Sequence, residues 1–479
     1  MFQHPHQLIR RALGGAFELD RAQIHALLYR LCSAHVGTLR SALRRPVQEE
    51  AAAHFQAAHI GALERGDWFG SLSQPLLSLP EGADEHLLVL CSAALQLLDR
   101  YHYDRRLAFH GQVVDLPVEL GGASTRFLVP PRRPFLDLIP QKGRLVRARQ
   151  DYENDLAWLL GLWWLAVGLE ARPVGLRLLD LTGLAAETLE RRLAQTGDLK
   201  VALASPFGEL TFRCQPEPLQ ATSREGVPYR FQEMDPLHLP SAFKALEETV
   251  EACQRHGVDL LCFPELTLDI SALGHLRSLL QTRNHRLNPI LVVAGSFHMD
   301  GPGYRVNRCH VLDGLGNVLF QQDKHTPFRI PAEQVPDLPA ELVSVLGIDS
   351  RGGVESIRPA GELLLMDSPL GRLAVPICLD YCGEALRSLF VESQANWFLV
   401  PAMTPTMEPF LERAASLGTS NRAASFLVNS FWLLRKLCRL SPENLVLGYL
   451  PFKGCRRLVG TQLREDLFLF SVRETLTRI

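Results

Sequence analysis

The chain has 479 residues, 47% hydrophobic and 21% charged, a composition that excludes a disordered, collagenous or coiled-coil protein. At roughly 100–200 residues per domain, the length predicts two to four domains, or one large enzyme domain with an attached module. Fifty basic against fifty-two acidic side chains leave a net charge of -2, so no overall field draws in nucleic acid or an anionic membrane, and neither partner is expected.

Residues 1–197 read as a mostly helical N-terminal domain. Ile24, Leu27, Leu28 and Leu31 recur at helical spacing, and Leu87 to Leu98 is a long apolar stretch. His4 and His6 are expected as a flexible pair near a start that lacks the apolar segment of a secretory signal, which predicts a cytoplasmic protein with reduced thiols. The ten cysteines include no CxxC pair and no zinc-finger rhythm, so neither a disulfide framework nor a metal is expected. Pro130, Pro131, Pro134 and Pro140 lie among Arg132, Arg133, Lys142, Arg144, Arg147 and Arg149, the pattern of a solvated connector. The most apolar run, Leu156 to Leu169, is shorter than the ~20 residues needed to span a bilayer and reads as a buried core helix; no membrane span is expected.

From Leu199 the texture changes to mixed strands and helices, which predicts an α/β domain over 198–479. KVALASPF is strand-like, and in the next segment Phe243, Leu246, Val250 and Cys253 fall on one helical face, with Gly257 placed as a C-terminal cap. VDLLCFPE and PILVVAGSF read as buried strands. RCHVLDGLGNVLFQQDK reads as a hairpin turning at Asp313 and Gly314, and LLLMDSPLGRLAVPICLD as a second hairpin before a helix around Ala385 to Ser393. NWFLVPAM, FLVNSFWLL and LVGTQLREDLFLFSV supply later apolar or alternating runs, while Gln215 to Pro228 reads as a polar, proline-rich loop.

Three chemically useful residues stand at the ends of apolar strands: Glu265 in LLCFPE, Lys324 in VLFQQDKH and Cys378 in AVPICLD. A cysteine nucleophile needs a base to release its proton, and the oxyanion formed on attack needs a positive donor, so the three residue types suit covalent thiol catalysis. Lysine is scarce, with only six in the chain (142, 200, 244, 324, 436 and 453), which makes one at such a strand end informative. Asp380 reads as a residue that shapes the turn by accepting backbone hydrogen bonds. No GxGxxG after a strand, Walker lysine or GxSxG elbow occurs, so no cofactor is expected and nucleotide-driven and serine-hydrolase chemistries have no support.

In these residues the sequence resembles the nitrilase, or carbon–nitrogen hydrolase, superfamily. The signatures stand in family order: FPE at Glu265, a hairpin from Asn307 to Lys324, and ICLD at Cys378 and Asp380; ANWFLVPAMTP and NRAASFLVN extend the resemblance over roughly 199–479. It implies a four-layer αββα sandwich, catalytic roles for Glu265, Lys324 and Cys378, and Glu333 as second acid near the usual spacing after the lysine. It also implies hydrolysis of a small-molecule amide, or less commonly a nitrile, through a cysteine thioester, in a homo-oligomer. The N-terminal domain would regulate the enzyme or recruit a protein partner. Gly383 stands where the family carries proline, and Ser425 near where many members carry glutamate. These departures keep two alternatives open: a catalytically silent scaffold for oligomerisation and partner binding, and an N-acyltransferase using the same three residues, to which KHTPFRIPAE is faintly similar.

Overall fold

The computed structural model describes residues 4–15, 18–65, 68–105, 113–117, 120, 126–128, 155–160, 167–168, 174–207, 212–216, 226–285, 287–301, 304–451, 457–458 and 460–473. It divides into two compact units, one of residues 1–138, 148–180 and 392–394, the other of 139–147, 181–391 and 395–479. Among the described residues no helix is long and apolar enough to cross a membrane.

The first unit is mainly helical. Helices Arg21–Ala34, Val36–Leu43 and Pro46–Arg65 pack on Asp84–Arg105 through fully buried Leu27, Leu39, Leu87 and Leu95. Asp20 and Gln23 form a reciprocal capping box, each side chain accepting the other's backbone N–H at 2.8 Å. His4 and His6, expected to be flexible, instead lie against Asp84, and His6 is buried. In the apolar run at 156–169, the described residues are a helix over Asp155–Leu160 and a strand at Val167–Gly168 paired with Arg126–Leu128, because a lone apolar run does not distinguish helix from strand. The arginine- and proline-rich connector from 130 to 149 lies outside the described residues.

Strands of the second unit are numbered in chain order: β1 Lys200–Ala204, β2 Phe212–Pro216, β3 Val227–Met234, β4 Leu260–Cys262, β5 Leu291–Gly301, β6 Tyr304–Asp313, β7 Val318–Asp323, β8 Arg329–Ile330, β9 Gly353–Glu355, β10 Glu362–Ser368, β11 Gly371–Ala374, β12 Trp397–Pro401, β13 Ala424–Val428, β14 Val446–Tyr449, β15 Thr461–Arg464 and β16 Leu467–Ser471. One sheet has the order β7-β6-β5-β4-β1-β16-β15, with β1, β4 and β5 parallel. A second contains β14-β13-β12-β11-β10, with β11, β12 and β13 parallel. The two sheets pack face to face, β12 on β4 and β5 and β13 on β1. Helices Leu239–His256 and Ile270–Arg283 pack on each other over the first sheet, and Glu408–Asn421 covers β13 and β14 of the second, completing the expected αββα layering.

Burial on both faces explains why the central strands read as unbroken apolar runs. Phe426 reaches across the inter-sheet layer, stacking on Trp397 at 6.0 Å and meeting Phe470 of β16 edge-on at 5.6 Å. Phe398, next along β12, points to the helical side, against Tyr381 and Phe390. A third, small sheet has the order β8-β9-β3-β2, in which β9 pairs parallel with β3 and Glu355 lies opposite Tyr229. Its strands β2 and β3 occupy both ends of the segment expected to be a loop, 215–228: Gln215 and Pro216 pair with Arg230 and Tyr229.

Replacing Phe426 by alanine removes a wholly buried ring from between the sheets and is expected to cost about 3–5 kcal/mol. Urea unfolding would record this as a lower midpoint at unchanged slope.

Candidate active site

Three chain segments bring Glu265, Lys324 and Cys378 together at one edge of the sandwich. Glu265 follows β4 through Pro264. The turn fits because Gly295 of β5 (φ 64°) lies so close that a Cβ there would sit 2.3 Å from the Pro264 carbonyl oxygen. Lys324 follows β7, its backbone N–H donating to Asn307 O at 2.8 Å, so the hairpin register fixes where the side chain begins. Cys378 follows β11 and has φ 50° and ψ -111°, a strained backbone for a residue with a side chain. The strain is held by three backbone bonds: Cys378 N–H to Pro401 O at 2.8 Å, Asp380 N–H to Ile377 O at 3.0 Å and Tyr381 N–H to Cys378 O at 3.0 Å.

All three side chains are 1–2% exposed. Lys324 Nζ donates to Glu265 Oε1 at 2.7 Å and to Glu355 Oε2 at 2.7 Å. The Cys378 thiol donates to Met403 O at 3.8 Å and lies within the electrostatic reach of both Glu265 and Lys324. Glu265 also accepts from Asn307 Nδ2 at 3.0 Å.

Glu355, not Glu333, is the acid that the structure places beside Lys324 with Glu265. Glu333 stands exposed on the short 3-10 helix Ala332–Asp337. The expected spacing presumes a short connection after the lysine, whereas here the chain runs out through β8, that 3-10 helix and helix Ala340–Leu346 before returning as β9. Glu355 is completely engaged. Its Oε1 accepts from Asn307 Nδ2 and His298 Nε2, both at 2.9 Å, and its Oε2 from Lys324 Nζ at 2.7 Å and the Phe328 N–H at 2.8 Å. Four donors fill the four lone-pair directions of a carboxylate. The sequence signal for it was slight, one acid after a single valine that follows a glycine pair.

This environment separates the two carboxyl groups. Burial opposes ionisation of both. For Glu355 the Lys324 charge and the His298 hydrogen bond outweigh burial and hold it well below the usual carboxylate range. For Glu265 burial prevails, aided by the Glu355 charge, and the group is raised despite Lys324. Lys324 itself is raised, since its two carboxylates more than compensate for its own desolvation. Burial, then the Glu265 charge, push the Cys378 thiol well up, so the resting sulfur keeps its proton. The arrangement is thus an ion pair, Glu355 with Lys324, beside two groups whose charged forms burial opposes, Glu265 and Cys378.

Asp380 ties two of the segments together, accepting from the backbone N–H groups of His325 at 2.8 Å and Thr326 at 2.7 Å. It does shape a turn by accepting backbone bonds, but that turn is the one after Lys324. His325 donates Nδ1–H to Ala360 O at 2.7 Å and so serves the same loop. Gly383 has φ -63°, a value proline would share, while its N–H donates to Leu379 O at 2.7 Å. Ser425 is buried and accepts from the Tyr381 hydroxyl at 2.7 Å, just behind the cysteine turn.

A four-layer α/β sandwich carrying a buried cysteine, glutamate and lysine at one sheet edge is the class of protein this chain represents. Solved structures similar to it come from the nitrilase superfamily: yeast Nit3 (Saccharomyces cerevisiae), a branch 10 member, at 13% identity over 59% of this chain and 92% of that one, TM-score 0.38; and an amidase from Nesterenkonia sp. at 15% identity over 58% and 95%, TM-score 0.34. The glutamine-dependent NAD+ synthetase of Acinetobacter baumannii is similar at 15% identity over 58% of this chain and 46% of that one, TM-score 0.35. No family model and no curated protein matches the sequence.

Asp380 supplies a pH test of the tie. Burial raises its carboxyl from 3.8 to about 6, against its backbone donors, so the folded state holds a proton that the unfolded state releases between those values. Its contribution to stability is therefore fully present below 3.8 and lost as pH rises through 6. Relative to Asp380→Asn, the wild type is expected to gain up to about 3 kcal/mol between pH 7 and pH 4, read from paired urea titrations.

Proposed function

We propose that the second unit is a carbon–nitrogen hydrolase that cleaves a small carboxamide through a thioester on Cys378. The supporting observation is the buried cluster in which the Lys324 ammonium bonds Glu265 at 2.7 Å and the charges of both act on the Cys378 thiol. Glu265 takes the Sγ proton as sulfur attacks the amide carbon, and Lys324 donates a hydrogen bond to the oxygen as it gains negative charge. The tetrahedral species collapses with return of the Glu265 proton to the departing nitrogen, leaving amine or ammonia and a thioester. Water, deprotonated by Glu265, attacks the thioester; sulfur leaves and recovers the proton, and a carboxylic acid is released. Glu355 transfers no proton in this scheme, because its four donors keep it ionised; it holds the ammonium in place.

An amide is favoured over a nitrile by the family resemblance. We assign the mainly helical first unit to a module that regulates the hydrolase or recruits a partner to it.

A panel of aliphatic and aromatic carboxamides, assayed for amine release and for a mass increment on the Cys378 peptide, tests the reading. Cys378→Ala is expected to abolish turnover with the fold intact, and retained turnover would refute the assignment. Glu265→Gln should slow acylation by about 10²–10⁴-fold. Because Glu265 lies above the ordinary carboxylate value of 4.5 and acts ionised, the acid limb of kcat/KM should fall at a pH above 4.5; a limb at or below that value would remove Glu265 as base.

A further inference from the structure

His298 has no place in the scheme above, although it is buried against the same cluster, with a side chain 2% exposed. It lies on β5 directly opposite Asn307 of β6, and the two side chains meet at one atom, Glu355 Oε1, each at 2.9 Å. The other ring nitrogen faces a donor that cannot reverse: the backbone N–H of Phe231 points at His298 Nδ1 at 2.9 Å. An N–H can only donate, so Nδ1 is unprotonated and Nε2 carries the hydrogen that Glu355 accepts. The backbone of β3 therefore dictates the tautomer. His298 and Phe231 are among the residues that line a cavity of about 630 Å³, as are Arg230, Asp235, Asp300 and Arg305, with Arg305 paired with Asp300 at 2.8 Å. Those four, with Glu355, Lys324 and Glu265 on the inner side, are the charged groups around the ring.

We propose that His298 is a positioning residue of the reaction: held as the neutral Nε2–H tautomer by Phe231, it fixes Glu355 Oε1 and through it the place of the Lys324 ammonium beside Cys378. The inference rests on the hydrolase reading and adds a member to its machinery. Without the Nε2 donor, Glu355 has an unfilled lone pair and a stronger hold on Lys324. The ammonium then serves Glu265 and the sulfur less well.

Two substitutions separate the ring's two bonds. In His298→Gln the amide nitrogen reaches where Nε2 stood and keeps the donor to Glu355; in His298→Asn the amide oxygen stands near Nδ1, keeping the acceptor for Phe231 but losing the donor. Peptide-resolved alkylation of Cys378 by iodoacetamide from pH 5 to 9 reads the effect. The expected result is a Gln variant within about threefold of wild type with the same pH profile, and an Asn variant about tenfold slower with a displaced profile. An unchanged Asn variant, or equal losses in both that follow their melting temperatures, would overturn the proposal. A wild-type Cys378 no more reactive than Cys91 would instead overturn the hydrolase reading. The ¹⁵N shifts of the His298 ring then decide its role separately: a neutral ring with its hydrogen on Nε2 sustains the contact with Glu355, and one with its hydrogen on Nδ1 removes it.

Discussion

A single ammonium, Lys324, sits out of water between two carboxyl groups, and the surrounding architecture is arranged around the cost of keeping it there. A buried charge is tolerated only when paired and hydrogen-bonded, and loss of one partner leaves the other stranded. Here the lysine ends β7, one carboxylate ends β9 and the other follows β4, while Asn307 of β6 bridges both acids at 2.9 and 3.0 Å. Asn307 and Glu355 lie within strands, Lys324 directly follows one, and Glu265 stands in the turn after another. The charges are thus held by hydrogen-bond ladders, with little left to side-chain flexibility. The asymmetry between the acids follows from their donors. Glu355 has four and is held as an anion; Glu265 has Lys324 and Asn307, and burial raises it.

The sulfur is held by strain of a different kind. A positive φ at Cys378 costs about 1–3 kcal/mol and persists only where neighbouring contacts over-determine it. Those contacts are the Pro401 carbonyl, the turn bonds at Ile377 and Cys378, and the Asp380 carboxyl gripping the backbone after Lys324. Asp380 makes the lysine loop and the cysteine turn one object, so that movement of either is transmitted to the other. Behind the turn, Tyr381 is anchored to Ser425 and packed on Phe398 and Phe410, which carries the same constraint into the helical layer.

The features most legible in the sequence were those with local signatures. Asp313 and Gly314 set a tight hairpin, and β6 and β7 pair through it; the apolar runs before Glu265 and Cys378 are buried on both faces and therefore show no alternation to obscure them. What stayed hidden depends on pairing between distant segments. Glu355 belongs to the site only because β9 pairs with β3, and neither strand shows itself: Gln215 to Pro228 has the composition of a loop, and β9 is three residues long. Spacing alone pointed to Glu333, since nothing local marks 329–355 as an excursion that returns. His298 reads as one more residue of an apolar strand until Phe231 and Glu355 are placed around it. The helical reading of Val167 and Gly168 failed for a related reason, strand pairing with Phe127 and Leu128 overriding an apolar run of ambiguous period.

The parallel register of β9 on β3 has a kinetic side. Val227 pairs with Gly353, and Glu355 lies beside Tyr229, so the second acid is delivered by a contact closing a very long loop. Such contacts form late, because loop-closure entropy is lost before the pairing compensates for it. During synthesis β3, β4 and β5 emerge well before β9 and the cysteine turn. A chain whose β9 has not yet found β3 therefore lacks the anion that steadies Lys324, and the buried ammonium has one carboxylate in place of two.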